Sequence, residues 1–411
     1  MNVTDVLSML SSPEGRTNPY PLYAALHEIG EAVEACPGEA VEEEGLGEVL
    51  VVGYDAINSV LRDPGFRVSD ASRFDETFPG WRADPVFVQS ADWILNLNAP
   101  RHLRIRSLIA RAFTPQRING LAPAITTIVD ELLDVMADRG ADGSAVEFMH
   151  DFAYRLPVTV ICELIGIPEA DREGFRPLAR DLTGFFEVTD TQSMHAINAA
   201  AAELLAYFTG LAAARRADPR DDLLSDLLAV TDSDSGKLTS AELLHNLTLL
   251  LFAGFETTKN LLGNGLHIVL DDPPSGAALR DRLVPPSAFV EEVLRFDSPV
   301  QLTERIGYDT NVGGVPVTSG MMVTTLLGAG NRDPRRFADP DRFDPMRPDG
   351  GPLSFGAGAH FCIGAALARL EGVVAFPRLL NQFPKIATAG EPVRRDRFVL
   401  RGFDELPVTV V

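Results

Sequence analysis

The sequence contains few cysteines, and they lie far apart in the chain at Cys36, Cys162 and Cys362. This spacing excludes a disulfide scaffold and the Cys-x-x-Cys sites that bind zinc or iron–sulfur clusters. Long apolar runs are also lacking, since no uninterrupted stretch reaches the ~18 residues that span a bilayer. The first residues have neither the basic start nor the apolar core of a signal peptide. We therefore expect a cytoplasmic protein without a membrane segment.

Positive charge is scarce as well, with 36 Lys and Arg against 58 Asp and Glu and a net charge of −22. Nucleic-acid binders and proteins that adsorb to anionic membranes need basic surfaces, so the charge argues against both classes. The hydrophobic fraction of 45% is ordinary for a globular protein. We find no internal repeat and no linker, and we predict a single domain over residues 1–411.

The hydrophobic patterns predict a mainly α protein with minor β sheets. The predicted helices are a helix capped by Asp55 that runs through Leu61, a largely helical region over 102–216, a long helix from the Thr239–Glu242 capping box to Leu270, a short helix over 287–296, and a helix that begins just after Cys362. The predicted strands are 48–52, a hairpin over 312–323 around Gly313-Gly314, and a terminal pair of 398–400 with 407–411.

A glycine-rich loop contains the third cysteine and reads Phe-Gly-Ala-Gly-Ala-His-Phe-Cys-Ile-Gly over 355–364. Cys362 precedes a predicted helix, whose dipole favours a thiolate. We expect Gly356, Gly358 and Gly364 to adopt backbone conformations closed to other residues, which would turn amide N–H groups towards the sulfur. Phe361 stands where a dinucleotide-binding G-x-G-x-x-G loop needs a glycine. These residues leave Cys362 as a nucleophile, a metal ligand or a structural cysteine.

Three other motifs carry polar residues at helical spacing. In Ala253-Gly254-Phe-Glu256-Thr257-Thr, a glycine that costs about 1 kcal/mol in a helix interior precedes an acid–hydroxyl pair. Glu292 and Arg295 share a helix face at i,i+3, and His102 and Arg106 do so at i,i+4, where they can hold a carboxylate jointly. Each motif alone has an ordinary interpretation as a solvated helix face or a surface ion pair.

In their order and spacing the four motifs together resemble the cytochrome P450 family, over nearly the whole chain. The resemblance implies a cytochrome P450-like fold, with a long central helix over the haem and the cysteine loop beneath it. Residues 355–364 resemble the haem-binding signature, so the resemblance makes Cys362 the axial thiolate of haem b. Its other implied haem-binding residues are His102, Arg106, Arg305 and His360 at the propionates, with Ala253, Gly254, Phe355, Gly356 and Gly364.

The resemblance also implies functions for the remaining motif residues. Glu256 and Thr257 are the implied catalytic residues, which deliver protons for dioxygen activation. Glu292 and Arg295 are implied to be a buried structural pair that tethers the coil before the cysteine loop. The family's frequent Asp-Pro-Pro-x-His is replaced here by Asn98-Ala-Pro-Arg-His102.

The implied activity is that of a monooxygenase that hydroxylates or epoxidises an apolar small molecule, such as a polyketide or macrolide of secondary metabolism. Its electrons would come from NAD(P)H through a ferredoxin reductase and a ferredoxin, which would dock on a basic face with Arg104, Arg111 and Arg369. The expected protein is a monomer. Its expected pocket walls are 78–97, 182–187, 249–253 with Thr257, 300–303, Leu400 and Phe403. The alternatives are peroxide-driven oxygenation or nitration, a haem-binding sensor or carrier, and an unrelated hydrolase with a cysteine nucleophile.

Overall fold

The computed structural model describes residues 3–35, 48–187, 191–233 and 238–410. Helices dominate and the strands are short, which confirms the predicted mainly α class. In chain order the helices are α1 Val3–Leu10, α2 Pro13–Thr17, α3 Tyr20–Ile29, α4 Tyr54–Arg62, α5 Ala71–Thr77, α6 Pro85–Ser90, α7 Arg101–Ile109, α8 Pro115–Gly120, α9 Ala122–Gly140, α10 Arg155–Ile165, α11 Phe175–Thr183, α12 Thr191–Ala217, α13 Leu223–Ser233, α14 Ser240–Asp271, α15 Pro273–Arg280, α16 Pro286–Phe296, α17 Leu327–Gly330 and α18 Ala365–Gln382.

The strands form small sheets. They are β1 Ala32–Glu34, β2 Val49–Val51, β3 Val146–Glu147, β4 Thr303–Ile306, β5 Thr310–Val312, β6 Val315–Val317, β7 Met322–Thr325, β8 Ala387–Thr388, β9 Val393–Arg394, β10 Phe403–Glu405 and β11 Pro407–Thr409. One sheet has the order β1-β2-β7-β4, in which β2 and β7 are parallel, and another has the order β3-β11-β8.

The long helix α14 begins as predicted. The Thr239 N–H donates to the Glu242 carboxylate at 3.0 Å, and the Glu242 N–H donates to the Thr239 hydroxyl at 3.1 Å. This reciprocal pair is the predicted capping box. At α4 the prediction is wrong in detail, because Gly53 is the N-cap and Asp55 lies inside the first turn. In the first turn its negative carboxylate still interacts favourably with the positive end of the helix dipole.

The strand predictions had a mixed outcome. The hairpin turn is confirmed, since β5 pairs with β6 around Gly313 and Gly314, whose φ angles of +55° and +91° suit a tight turn. The predicted bounds of 312–323 are wrong, because the paired strands lie at 310–312 and 315–317. The terminal pair is wrong, because β11 pairs with β3 and β8, and Leu400 lies in an isolated bridge with Val300. Strands of two or three residues carry too little pattern to specify a distant partner.

Contacts between Cα atoms divide the chain into two compact units. The first unit comprises Met1–Arg67, Leu121–Leu156 and Thr257–Val411, and it contains the sheets and helices α9, α15, α16 and α18. The second comprises Val68–Gly120 and Pro157–Glu256, and in it α12 packs against α6, α11 and α13. Helix α14 has 32 residues, so it is about 48 Å long, and it contributes to both units.

Among the described residues, one helical stretch is long and apolar enough to suggest a membrane span. It is Ser193–Ala217 within α12, with a mean hydropathy of 1.3 and 39% of its window buried. Core helices of soluble proteins pass the same criterion, and α12 packs against three helices of its own unit.

Candidate active site

The cysteine loop is closed by its own backbone. The Cys362 N–H donates to the Phe355 carbonyl at 2.9 Å. Gly356 and Gly358 both have a φ of +67°, a left-handed conformation that residues with a Cβ atom disfavour. A Cβ atom at Gly358 would also lie 2.3 Å from the carbonyl oxygen of Leu61. Position 358 therefore requires glycine for both its backbone angle and its contact with α4.

Gly364 differs from the prediction. Its φ of −86° and ψ of 2° lie outside the left-handed region, so its backbone does not require glycine. It is the N-cap of α18, and a Cβ atom there would stand 4.0 Å from the Cys362 sulfur. Because α18 begins at Ala365, Cys362 does lie just before a helix N-terminus, where a thiolate is favoured.

The two cysteines within the described residues have opposite environments. Cys162 is fully buried, and burial raises the pKa of its thiol to about 12. It is therefore a neutral thiol at neutral pH. Cys362 is exposed, and an accessible sulfur at a helix N-terminus suits thiolate ligation of iron. Cys36 lies outside the described residues.

Arg305 is a buried cation whose described hydrogen-bond partners are neutral. It is 6% exposed, and its Nη1 donates to the Thr303 hydroxyl at 3.1 Å and to the Glu304 carbonyl at 2.7 Å. Burial lowers the pKa of Arg305 to about 10, and no carboxylate in the described ranges forms an ion pair with it. A buried guanidinium is stabilised by an anion, so Arg305 fits a haem propionate. His360 is half-buried in the turn Gly358–His360 of the same unit.

In the second unit, α7 carries His102 and Arg106 one turn apart. His102 is 2% exposed, and burial, together with the charge of Arg106, lowers its pKa. At neutral pH Arg106 therefore supplies the charge and His102 a neutral ring, a combination that fits a carboxylate. Asn98, where the sequence departs from the family pattern, binds both the N–H and the carbonyl of Val68 at 3.0 Å. The segment before α7 is thus fixed despite the substitution.

Two other arginines of α7 bind an acid at the start of α14. Arg101 donates to the Glu242 carboxylate at 2.9 Å and Arg104 at 2.6 Å. Burial raises the pKa of Glu242, but Arg104, the Thr239 N–H and Arg101 outweigh it and lower the pKa to about 2. The sequence pattern predicts Glu242 only as a cap, and the resemblance implies only a docking role for Arg104. No local spacing signals a contact between residues so distant in the chain.

The predicted proton-delivery residues lie near the middle of α14. A Cβ atom at Gly254 would lie 2.9 Å from Cγ1 of Ile161, so glycine allows α10 to pack closely at this point. Ala253 and Thr257 are half-buried, whereas Glu256 is 3% exposed. A buried acid next to a hydroxyl residue can hold and transfer protons.

Aromatic rings join three of the predicted wall segments within the second unit. The ring centroid of Trp93 lies 5.6 Å from that of Phe185 and 5.4 Å from that of Phe252. Phe186 packs on Phe252 at 5.7 Å. Segments 78–97, 182–187 and 249–253 therefore share one aromatic cluster.

The predicted walls in the first unit are only partly brought together. Val300 and Leu400 are joined by a β-bridge. Phe403 is fully buried, and its ring lies 4.7 Å from that of His267. It packs in the core of this unit, and its place in a pocket wall stays a prediction.

Glu292 and Arg295 form a buried pair, with 2% and 1% exposure and two hydrogen bonds of 2.8 Å. Arg295 also donates to the carbonyls of Asn331 and Pro340 at 2.9 and 2.8 Å. Arg347 donates through Nε to both oxygens of Glu292 at 3.0 Å. The pair therefore tethers the coil that leads to the cysteine loop.

Comparison with known proteins places these features in a family. The profile of the cytochrome P450 family matches residues 286–400. The chain is 39% identical over 402 residues to cytochrome P450 monooxygenase PikC of Streptomyces venezuelae, covering 95% of this chain and 91% of the relative. It is 36% identical to 6-deoxyerythronolide B hydroxylase of Saccharopolyspora erythraea, covering 95% of each.

A solved structure is also similar. P450BioI, crystallised with an acyl carrier protein bearing hexadec-9Z-enoic acid, has a TM-score of 0.89 and 33% identity, with 97% of this chain and 100% of that chain covered. Because identity above 30% extends over almost the full length of these relatives, the chain belongs to the cytochrome P450 family and is a monooxygenase.

Proposed function

We propose that Cys362 of this monooxygenase would hold haem b as a thiolate ligand of its iron. The observation that carries the proposal is the exposed Cys362 sulfur, held in a glycine loop just before the α18 N-terminus. When bound, a thiolate-ligated haem supplies the chemistry that activates dioxygen and oxidises a C–H or C=C bond. The chain's own residues bind the group, orient the substrate and move protons.

Arginine and histidine side chains are proposed to retain the haem. In the first unit the Arg305 guanidinium, buried without a carboxylate partner among the described residues, binds a propionate, and His360 assists it. In the second unit Arg106 provides the charge and His102 a neutral hydrogen-bonding ring. The small side chain of Ala253 would leave room for the haem, and Gly254 allows the close packing of α10 against this part of α14. Phe355, Gly356 and Gly364 shape the cysteine loop.

Glu256 and Thr257 deliver protons in this proposal. The carboxyl group of Glu256 holds a proton within a largely buried segment, and the Thr257 hydroxyl both accepts and donates. A positioned acid and hydroxyl transfer protons without admitting bulk water.

The proposed substrate is an apolar small molecule of polyketide or macrolide type. The aromatic cluster of Trp93, Phe185, Phe186 and Phe252 offers a rigid apolar wall of the kind that encloses such ligands. The hydroxylase similar to this chain is named for an erythronolide. Hydroxylation or epoxidation is the proposed outcome.

The proposed electron donor is a ferredoxin reduced by an NAD(P)H-dependent reductase, acting on a monomeric, cytoplasmic enzyme. Of the arginines predicted for docking, Arg104 is bound to Glu242 and Arg369 to Glu291. Arg111 is exposed. Arg111 therefore becomes the first candidate to meet an acidic ferredoxin.

The test of this function is the visible spectrum of the reduced protein under carbon monoxide. The wild type and Cys162→Ala should show the strongly red-shifted Soret band of thiolate ligation, and Cys362→Ser should lose it. Retention of the band in Cys362→Ser, or a colourless wild-type protein after reconstitution with haem, would contradict the proposal.

A further inference from the structure

Next to the buried Glu292, a second acid of α16 makes a separate contact. Glu291 accepts hydrogen bonds from Arg369 of α18, with Nε–Oε1 at 2.5 Å and Nη2–Oε2 at 3.1 Å. The two side chains are 33% and 34% exposed. A bidentate pair of this kind fixes the plane of the guanidinium, which a single hydrogen bond would not do.

The fixed guanidinium lies over an aromatic ring of the cysteine loop. The Cζ atom of Arg369 is 4.4 Å from the ring centroid of Phe355, within the range of a cation–π contact. The backbone carbonyl of the same residue accepts the hydrogen bond of the Cys362 N–H at 2.9 Å. Arg369 therefore contacts the residue whose carbonyl is hydrogen-bonded to the N–H of the proposed thiolate ligand.

We propose that Glu291 and Arg369 are positioning residues for the axial thiolate: Glu291 orients Arg369, Arg369 holds the Phe355 ring, and Phe355 fixes the backbone at Cys362. This proposal rests on the function proposed for Cys362. Backbone order and hydrogen bonding around a ligating sulfur tune the reduction potential of its metal. The pair thus acts on the potential through the loop, in addition to any direct effect of its charges.

The chain offers a matched control on the same helix. Arg378 of α18 donates through Nη1 to both carboxylate oxygens of Asp130 at 2.8 and 3.1 Å, with side-chain exposures of 41% and 49%. Among the described residues, no aromatic ring forms a cation–π contact with the Arg378 guanidinium. Arg378→Gln therefore removes an arginine–carboxylate ion pair of similar exposure without removing a contact to the cysteine loop.

The experiment measures amide hydrogen exchange over 355–362 and the haem reduction potential in the haem-loaded protein. We expect exchange to become about two- to fivefold faster in Glu291→Gln and Arg369→Gln, the factor that corresponds to a cation–π contact at an exposed site. We also expect the potential to move in the same direction in both variants. Arg369→Lys, which keeps the charge but not the planar stacking group, should resemble Arg369→Gln.

A double variant tests whether the effect passes through the ring. In a Phe355→Leu background, Arg369→Gln should cause no further change in exchange. The proposal is overturned if Arg369→Lys behaves as wild type, if the potentials of Glu291→Gln and Arg369→Gln move in opposite directions, or if Arg378→Gln matches Arg369→Gln. A protein without the thiolate spectrum would instead refute the function proposed for Cys362, and the exchange measurement would still test the loop anchor.

Discussion

Carboxyl groups of this protein show how strongly the surroundings of one residue set its chemistry. Asp297 is buried, and although burial raises its pKa, Arg394, Arg401 and the Tyr20 hydroxyl outweigh it and hold the pKa well below the usual range. Among the residues that the structure describes, Glu304 has no such partner, and burial raises its pKa to about 7. Both are acids in the first unit, yet one is always ionised and the other titrates near neutrality.

We therefore predict that Glu304→Gln stabilises the protein in a pH-dependent manner. A folded-state pKa of about 7 against an ordinary value of 4.5 means that the stability Glu304 contributes is present below pH 4.5 and is lost as the pH rises through 7. At pH 8 the variant should gain about 1–2 kcal/mol, a figure reduced because the residue is only half-buried by accessible surface. Urea unfolding at pH 5 and pH 8 checks this, with exposed Glu405→Gln as control; an equal gain at both pH values would contradict it.

Thr257→Ala tests the proposed proton delivery at the scale of one hydroxyl. We expect haem binding and substrate affinity to be retained, while the ratio of product to NAD(P)H consumed falls and hydrogen peroxide rises. Thr248, on the same helix with its hydroxyl bonded to the Leu244 carbonyl at 3.3 Å, provides the control Thr248→Val. Unchanged coupling with unchanged affinity would remove Thr257 from the mechanism, and weaker substrate binding would indicate a shape effect.

At the scale of elements, sequence spacing predicts which residues share a helix face, but it does not predict what packs against that face. Glu292 and Arg295 on α16 and Arg73 and Glu76 on α5 have the same i,i+3 separation. The first pair is buried under the coil, whereas Glu76 has 67% of its side chain exposed. The difference comes from a coil far along the chain, which no local pattern reveals.

We predict that Glu292→Ala lowers the free energy of unfolding by about 3–5 kcal/mol, because it leaves Arg295 charged and buried without its acid. Glu76→Ala should change stability by less than about 1 kcal/mol. Chemical denaturation of the two variants, with haem content measured beside it, makes the comparison. A haem-loaded Glu292→Ala of wild-type stability would show that the remaining carbonyl contacts suffice.

The sequence predicts contacts between neighbouring residues better than contacts between residues that are distant in the chain. The capping box of α14, the β5–β6 hairpin and the helix after Cys362 were predictable because adjacent residues encode them. The partners of β11, the contacts of Glu242 with α7 and the stacking of Arg369 on Phe355 were not, since each joins segments distant in sequence. The spacing of the residues identified the site motifs, but it could not predict how deeply their side chains are buried.

For the whole molecule, the charge of −22 must be reconciled with the proposed electron donor, an acidic ferredoxin. Within the described residues many arginines are already bound in ion pairs, as Arg101 and Arg104 are to Glu242. The favourable field for a ferredoxin then depends on a few exposed arginines rather than on the net charge.

Arg111→Glu is therefore expected to raise the KM for ferredoxin several-fold, with kcat at saturating ferredoxin nearly unchanged. The effect should shrink as salt is raised, because charges on the rim of an interface act mainly on association. The control is Arg220→Glu, with 59% of the arginine side chain exposed in the same unit. Equal effects from both variants would remove Arg111 from the docking face.

Glu291 and Glu292 have a consequence for protein engineering. Adjacent residues on a helix point about 100° apart, and here one carboxylate faces the coil and the other faces α18. A saturation library across these two codons should yield two separate phenotypes: loss of soluble protein at one position, and soluble protein with altered redox behaviour at the other. The second position is thus a place to adjust electron transfer while keeping the yield of folded enzyme.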